Sequence, residues 1–236
     1  MEDVDPMLSK LILAHAATGA ALNLISSVRT RGIRRSAVFL ALSVGLPAIG
    51  EWLATGPLGL LRHRTRPRVA GVPVAILLGW YCAIHGSHAI AERALAASHS
   101  TGSSRERLLP LGAALVGTSL DLALDPAGLD AGLWEWRMDG TYAKEIVGPN
   151  DRSGVPLVNY VGWLLLVACV VAAYGRANGR IRGNARPAGR LPALLLLPYY
   201  LAAASWALKT RRLRYILLSL PLPVAVLAAL AGGPGR

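Results

Sequence analysis

Apolar residues fall along this chain in seven long blocks separated by shorter polar stretches. The blocks cover residues 7–28, 36–61, 70–94, 108–125, 157–175, 191–208 and 214–231. Each has about the 17–25 residues that an α-helix needs to cross the hydrocarbon core of a bilayer. They lack the alternation of apolar and polar residues that marks the strands of a membrane β-barrel. Pro47 and the pair Gly56-Pro57 predict a kink or a re-entrant end in the second block. Gly71-Val72-Pro73 predicts a helix start in the third, and Pro126 predicts that the fourth helix stops just after Asp125. The expectation is an all-α, polytopic transmembrane bundle of about seven spans, helical everywhere outside its loops, with residues 1–236 forming a single integral membrane domain.

Two polar connections differ in character. Residues 95–107, with Ser98, Ser100, Ser103 and Ser104, read as a flexible loop. Residues 126–156 are the longest polar stretch, and they concentrate Trp134, Glu135, Trp136, Asp139, Tyr142, Lys144 and Glu145. Trp and Tyr favour the membrane interface for ordinary reasons, yet a loop this dense in functional groups is also a candidate site.

Composition agrees with the pattern. Hydrophobic residues make up 53% of the chain and charged residues 16%, against about 25% charged in an ordinary soluble domain. The mean hydropathy is +0.44. The net charge of +12 would raise nucleic acid as a partner in a soluble protein. Here the basic residues form short runs between apolar blocks (Arg29, Arg31, Arg34 and Arg35; Arg62 to Arg68; Arg176 to Arg190; Lys209 to Arg214), where they anchor helices at anionic headgroups. No recognition motif accompanies them, so nucleic acid is set aside. With seven spans both faces are basic, and the positive-inside count gives no orientation. The acidic start, Glu2, Asp3 and Asp5, is unlike a signal peptide, so the first block is expected to stay in the mature protein. Cys82 and Cys169 read as small apolar residues within helices.

Three acids sit where acids are expensive. Glu51 lies inside the second block; Asp121 and Asp125 close the fourth, one helical turn apart on one face. An acid at the centre of a spanning helix costs about 2.5–3.5 kcal/mol on insertion scales, which makes it a functional candidate by default. Burial and a neighbouring carboxylate both oppose ionisation, and a carboxylic acid that keeps its proton can act as a general acid. The alternatives are that the aspartates face headgroups or loop arginines and that Glu51 makes an interhelical hydrogen bond. His85 and His88, with Glu92 a turn further, have a spacing that could hold a metal, but no second ligand cluster supports one, and polar packing is the better reading. No phosphate loop, nucleophile elbow, zinc-protease motif or aspartate-rich diphosphate motif is present.

The ordered set Asp121-Leu122-Ala123-Leu124-Asp125-Pro126, Trp134-Glu135-Trp136, Gly140-Thr141-Tyr142 and Gly154-Val155-Pro156-Leu157-Val158-Asn159-Tyr160-Val161-Gly162-Trp163 resembles the membrane-bound carotenoid biosynthesis proteins, which include carotenoid 1,2-hydratases of the bisanhydrobacterioruberin hydratase type. Glu51-Trp52-Leu53 and Gly71-Val72-Pro73 are similar too, so the likeness spans about 45–165. One departure stands out. In the family the tyrosine is followed almost at once by Gly-Val-Pro, whereas here residues 143–153 intervene, an insertion expected to reshape the pocket and with it the choice of substrate.

The resemblance implies a multi-pass enzyme of the cell membrane that acts on a hydrophobic isoprenoid or carotenoid among membrane lipids. The reaction it implies is acid-catalysed hydration of a terminal carbon–carbon double bond through a tertiary carbocation, with no cofactor and no metal. Glu51, Asp121 and Asp125 are the candidate catalytic acids, and which one donates stays open. Trp80, Trp134, Glu135, Trp136, Tyr142, Asn159 and Trp163 are the candidate substrate-binding residues. Among them the rings of Trp134, Trp136 and Tyr142 can stabilise a cation by roughly 0.5–2 kcal/mol each, and Asn159 or an ionised acid can position the water. A protonation-initiated terpene cyclase uses the same groups, and a non-catalytic lipid-binding or transport protein would use the acids as a relay or as structural contacts. Oligomeric state is open.

Overall fold

The computed structural model describes residues 3–97, 102–179 and 189–231. Helix α1 (Pro6–Arg31) begins where Asp5 accepts the amides of Met7 and Leu8 at 2.6 and 3.1 Å, with Pro6 at the first helical position. It ends at Gly32, whose φ of +81° lets the chain reverse directly into α2 (Ile33–Thr55). There follow β1 (Leu61–His63), β2 (Arg68–Val69), β3 (Val72–Pro73), α3 (Val74–Ala97) and α4 (Gly102–Asp130). Next come β4 (Trp134–Trp136), β5 (Tyr142–Val147), β6 (Ser153–Val155) and α5 (Leu157–Gly179). The C-terminal part holds α6 (Leu191–Leu194), α7 (Leu197–Lys209), α8 (Arg214–Ser219) and α9 (Pro221–Ala231). Among the described residues six helical segments are long and apolar enough to cross a membrane, with α6 and α7 counted together as the sixth. The seventh apolar block is divided at Leu220 between α8 and α9.

The inward face of α1 is small and polar, and its outward face is greasy. Ser9, Ala16, Gly19, Ala20, Asn23, Ser27 and Arg31 of α1 are buried, while Leu11 and Ile25 are exposed. Ser36 of α2 donates to Ser27 of α1 at 2.9 Å. In lipid, helix association rests on close packing of small residues and interhelical hydrogen bonds, because leucine is as well solvated by acyl chains as by protein. Helix α3 is central, and its Trp80 to Ala91 segment is buried throughout. Its Tyr81 and Ile84 pack with Phe39, Val167 and Tyr174 into the main core.

Several sequence expectations change. The backbone outside the helices is not all loop: β1–β4, β2–β3 and β5–β6 are short antiparallel ribbons. The second block does not run helically to 61, because α2 ends at Thr55 and Leu61 has become a strand residue. Pro73 belongs to β3, and α3 starts at Val74. Pro126 does not stop α4, which continues to Asp130. Proline has no N–H for the Leu122 carbonyl one turn earlier, and the Tyr142 hydroxyl supplies that bond instead at 2.9 Å. Of the expected 95–107 loop, helices cover up to Ala97 and from Gly102, and residues 98–101 lie outside the described residues, as do 180–188 within the basic run from Arg176 to Arg190.

Arg31 and Arg35, expected as interfacial anchors, are buried at 5% and 7% exposure. Arg31 lies 3.0 Å from His88 Nδ1 and 3.3 Å from Glu92, with its guanidinium over the rings of Phe39 and Tyr174. His85 Nδ1 sits 2.9 Å from Asn23 Oδ1. These contacts join α1 to α3 far from the site described below. Breaking a buried charge pair costs about 3–5 kcal/mol, and Glu92 retains 16% side-chain exposure, so Arg31→Met should destabilise the protein by about 2 kcal/mol. Thermal unfolding in detergent measures this, and melting at the wild-type temperature would show that the cluster does not hold α1 in place.

Candidate functional site

A ribbon of two three-residue strands closes one end of the bundle. β1 and β4 pair in the register Leu61↔Trp136, Arg62↔Glu135 and His63↔Trp134. Alternation along a strand sends these pairs to opposite faces. Leu61, His63, Trp134 and Trp136 face a cavity of about 400 Å³ inside the bundle, while Arg62 and Glu135 form an ion pair at 3.5 Å on the other face.

All three intramembrane acids line this cavity. Asp121 and Asp125 project from successive turns of α4, 3% and 4% exposed. The two hydrogens of one amide bridge them, since Asn159 Nδ2 donates to Asp121 Oδ2 and to Asp125 Oδ2, each at 2.7 Å. Asn159 is placed by the first turn of α5, which starts after Pro156 and where the Asn159 N–H donates to the Pro156 carbonyl at 3.0 Å. The second oxygen of Asp125 accepts the indole N–H of Trp134. Glu51 has both oxygens engaged, Oε1 by Trp80 Nε1 and Oε2 by His63 Nε2, each at 2.8 Å. Trp80 in turn stacks on Trp163 with ring centroids 3.9 Å apart. Among the described residues, Asp121 Oδ1 is therefore the one carboxyl oxygen of the three acids that accepts no hydrogen bond.

Two glycines permit this arrangement. A methyl group on Gly128 of α4 would lie 2.1 Å from the six-membered ring of Trp134, so only glycine lets that indole lie against the helix and reach Asp125. A Cβ at Gly140 would lie 2.2 Å from the Val155 backbone, where the Gly140 N–H donates to the Ser153 carbonyl at 2.7 Å. The glycines of the Gly-Thr-Tyr and Gly-Val-Pro segments thus meet at the base of the β5–β6 hairpin, in which Tyr142 pairs with Val155.

A family model described as carotenoid biosynthesis protein matches residues 8–231. The chain belongs to the carotenoid biosynthesis protein family. The match covers the bundle from α1 to α9, well beyond the span of the sequence motifs, and with the apolar helices it makes this a carotenoid-related membrane protein. No curated protein and no solved structure matches the chain.

Most of the residues singled out from the family resemblance come together. Glu51, Trp80, Asp121, Asp125, Trp134, Trp136, Asn159 and Trp163 line the cavity, and Glu135 and Tyr142 do not. Glu135 is on the far face of the ribbon; Tyr142 braces α4 and packs edge-on against Tyr160 and Tyr215. Asp139, an acid of the same loop, is exposed, and the Ser153 N–H and then Arg152 hold its carboxyl below the ordinary range. None of residues 143–153 lines the cavity. The insertion instead extends the β5–β6 hairpin, and its Asn150 donates to the Trp136 carbonyl at 2.7 Å. His15 and Tyr199, in edge contact at 4.9 Å, and His63 also line the cavity. Sequence reasoning passed over all three: His63 sits in a run of arginines, and His15 is a single polar residue in an apolar block.

Proposed function

We propose that this protein hydrates the terminal carbon–carbon double bond of an acyclic carotenoid or related isoprenoid in the cell membrane. The observation that carries the reading is the aspartate pair: Asn159 bridges two carboxyls in a buried, largely apolar cavity, and Asp121 keeps one oxygen open. Two carboxyls bridged by one amide are close enough to share one proton. Asp121 Oδ1 is the position that can hold that proton and present it to an alkene. Protonation at the less substituted alkene carbon leaves a tertiary cation, which the faces of Trp80, Trp134, Trp136 and Trp163 can stabilise. The family supports a carotenoid substrate.

A second reading, protonation-initiated cyclisation, draws on the largely apolar lining of the cavity, because a cation kept from water is captured by an internal double bond. Expression in a host that accumulates acyclic carotenoids, followed by assay of the purified protein, separates the two by mass. Hydration adds one water for each end group modified, and cyclisation leaves the formula unchanged. A purified protein that leaves every acyclic polyene untouched while still binding it would instead mark a lipid-binding protein.

A further inference from the structure

The cavity reaches the outer surface of the bundle along one seam. Of the residues that line it, Leu11, His15, Pro198 and Ala202 are exposed, and they belong to two helices, α1 and α7. Every other lining residue is buried or half-buried. Helix α1 packs on α2 and α3, whereas α7 packs on α4 and α8, so different neighbours hold the two sides of the seam. Tyr199 of α7 meets His15 of α1 across it, ring edge to ring.

The depth of the seam matches the depth of the aspartates. The Val4 N–H donates to the Arg64 carbonyl at 3.1 Å, and Trp206 donates to Asp130 at 2.8 Å. These bonds tie the start of α1 and the last turns of α7 to the end of the bundle that the β1–β4 ribbon closes. A helix rises about 1.5 Å per residue, so the four seam residues lie about 6–16 Å below that end. On the same scale Asp125 and Asp121 lie about 8–14 Å below the end of α4 at Asp130. The run from Arg62 to Arg68 anchors this end of the bundle at headgroups, so the seam opens into the hydrocarbon core, which is about 30 Å thick. A histidine on a spanning helix ordinarily faces the bundle interior or a cavity, and His15 meets that rule as part of a cavity mouth.

We infer that the seam between α1 and α7 is a lateral window through which the substrate enters from the bilayer, one end first, with the rest of its chain left in the window and in lipid. The inference rests on the carotenoid or isoprenoid substrate of the proposed function. A cavity of about 400 Å³ is at the small end for a drug-sized ligand, so it takes the end of an acyclic carotenoid and not the whole chain. A window level with the aspartates brings that end to them while the chain stays in hydrocarbon. Selection then falls on the end group and on the thickness of the chain beside it, and length beyond the window goes unsensed.

The test reads binding rather than turnover, so it stands apart from the reaction. The purified full chain in detergent is incubated with a long or a short acyclic polyene that share one end group. Free polyene is removed by gel filtration, and bound polyene per protein, unchanged or converted, is followed in time by absorbance. Leu11→Phe with Ala202→Phe narrows the window from both helices. It should slow uptake of the long polyene and weaken its binding, each by about 10-fold or more, the low end of what one extra methylene costs in a fitted apolar pocket. The short polyene, which has little chain to leave in the window, should enter slowly but bind with nearly wild-type affinity. Ile25→Phe with Leu208→Phe adds the same rings at exposed positions that do not line the cavity and should behave as wild type. All four positions are at the surface, and Ala202→Phe alone decides the matter if the double variant does not fold. Wild-type uptake and affinity for the long polyene in the window variant, or an equal loss in the control variant, overturns the window. Slowed uptake with unchanged affinity for the long polyene overturns the seating of its chain there. A wild-type protein that retains neither polyene overturns the carotenoid reading itself, a separate outcome.

Discussion

Asp121→Asn lowers turnover by about 10²–10⁴-fold, the usual worth of general acid–base catalysis, in a protein that still inserts and melts close to the wild-type temperature. The asparagine oxygen can go on accepting from Asn159, so the bridge survives in part. What is lost is the acidic proton at the open oxygen, which an amide cannot supply to carbon. Asp125→Asn should cost less. Both Asp125 oxygens already accept N–H groups, from Trp134 and Asn159, and an amide can satisfy only one of them as acceptor, so the effect is one of placement. Trp136→Phe should be milder still, because a ring face remains, whereas Trp134→Phe also removes the N–H that Asp125 accepts. Steady-state rates with melting curves for each variant make the comparison. If Asp121→Asn keeps near wild-type activity, Asp121 is not the donor; if Asp125→Asn and Glu51→Gln keep it as well, none of the three acids is.

Gly128→Ala should reduce turnover by about 10²-fold with no change in any polar group of the site. The added methyl would stand 2.1 Å from Trp134 ring carbons, far inside contact distance, and one of the two must move. Overpacking of this kind costs about 1–3 kcal/mol. The helix is held by its packing on α5 and α3, so the ring is what shifts, and its bond to Asp125 goes with it. A displacement of about 1 Å at a catalytic constellation can lower the rate by 10²-fold. The expected signature is a fall in kcat with a modest change in melting temperature. Full activity in Gly128→Ala would mean that the Trp134 position does not matter.

The acids were legible in the sequence because a carboxyl in a spanning helix is expensive wherever it points, and that cost needs no structure to recognise. Asp121 and Asp125 were legible as a pair because one helical turn separates them. The Asn159 bridge was not, since it joins α4 to α5 across 34 residues from Asp125 and 38 from Asp121. The ribbon was hidden for the same reason. Gly56 to Leu61 is apolar enough to read as the tail of a span, and nothing local says that Leu61-Arg62-His63 will pair with Trp134-Glu135-Trp136. Once the pairing is known, alternation sorts both triplets at a glance, with His63 turned inward and Glu135 outward. The insertion at 143–153 was legible as an insertion, but its distance from the cavity depends on a hairpin base that only the close approach of Gly140 to Val155 defines.

Pro126 and Tyr142 are one feature in two places. The proline leaves the Leu122 carbonyl without its helical donor, and the hydroxyl supplies one from a different segment. For a lineage drifting under mutation the two positions are therefore not independent, and the order of change matters. Replacing the proline first restores an amide to the helix, and the hydroxyl becomes dispensable without harm. Losing the hydroxyl first strands a carbonyl, at about 1–3 kcal/mol, one residue after Asp121 on the helix that carries both aspartates. Descent can pass easily through the first route and seldom through the second, so the proline can outlast its tyrosine only where some other donor has already taken its place.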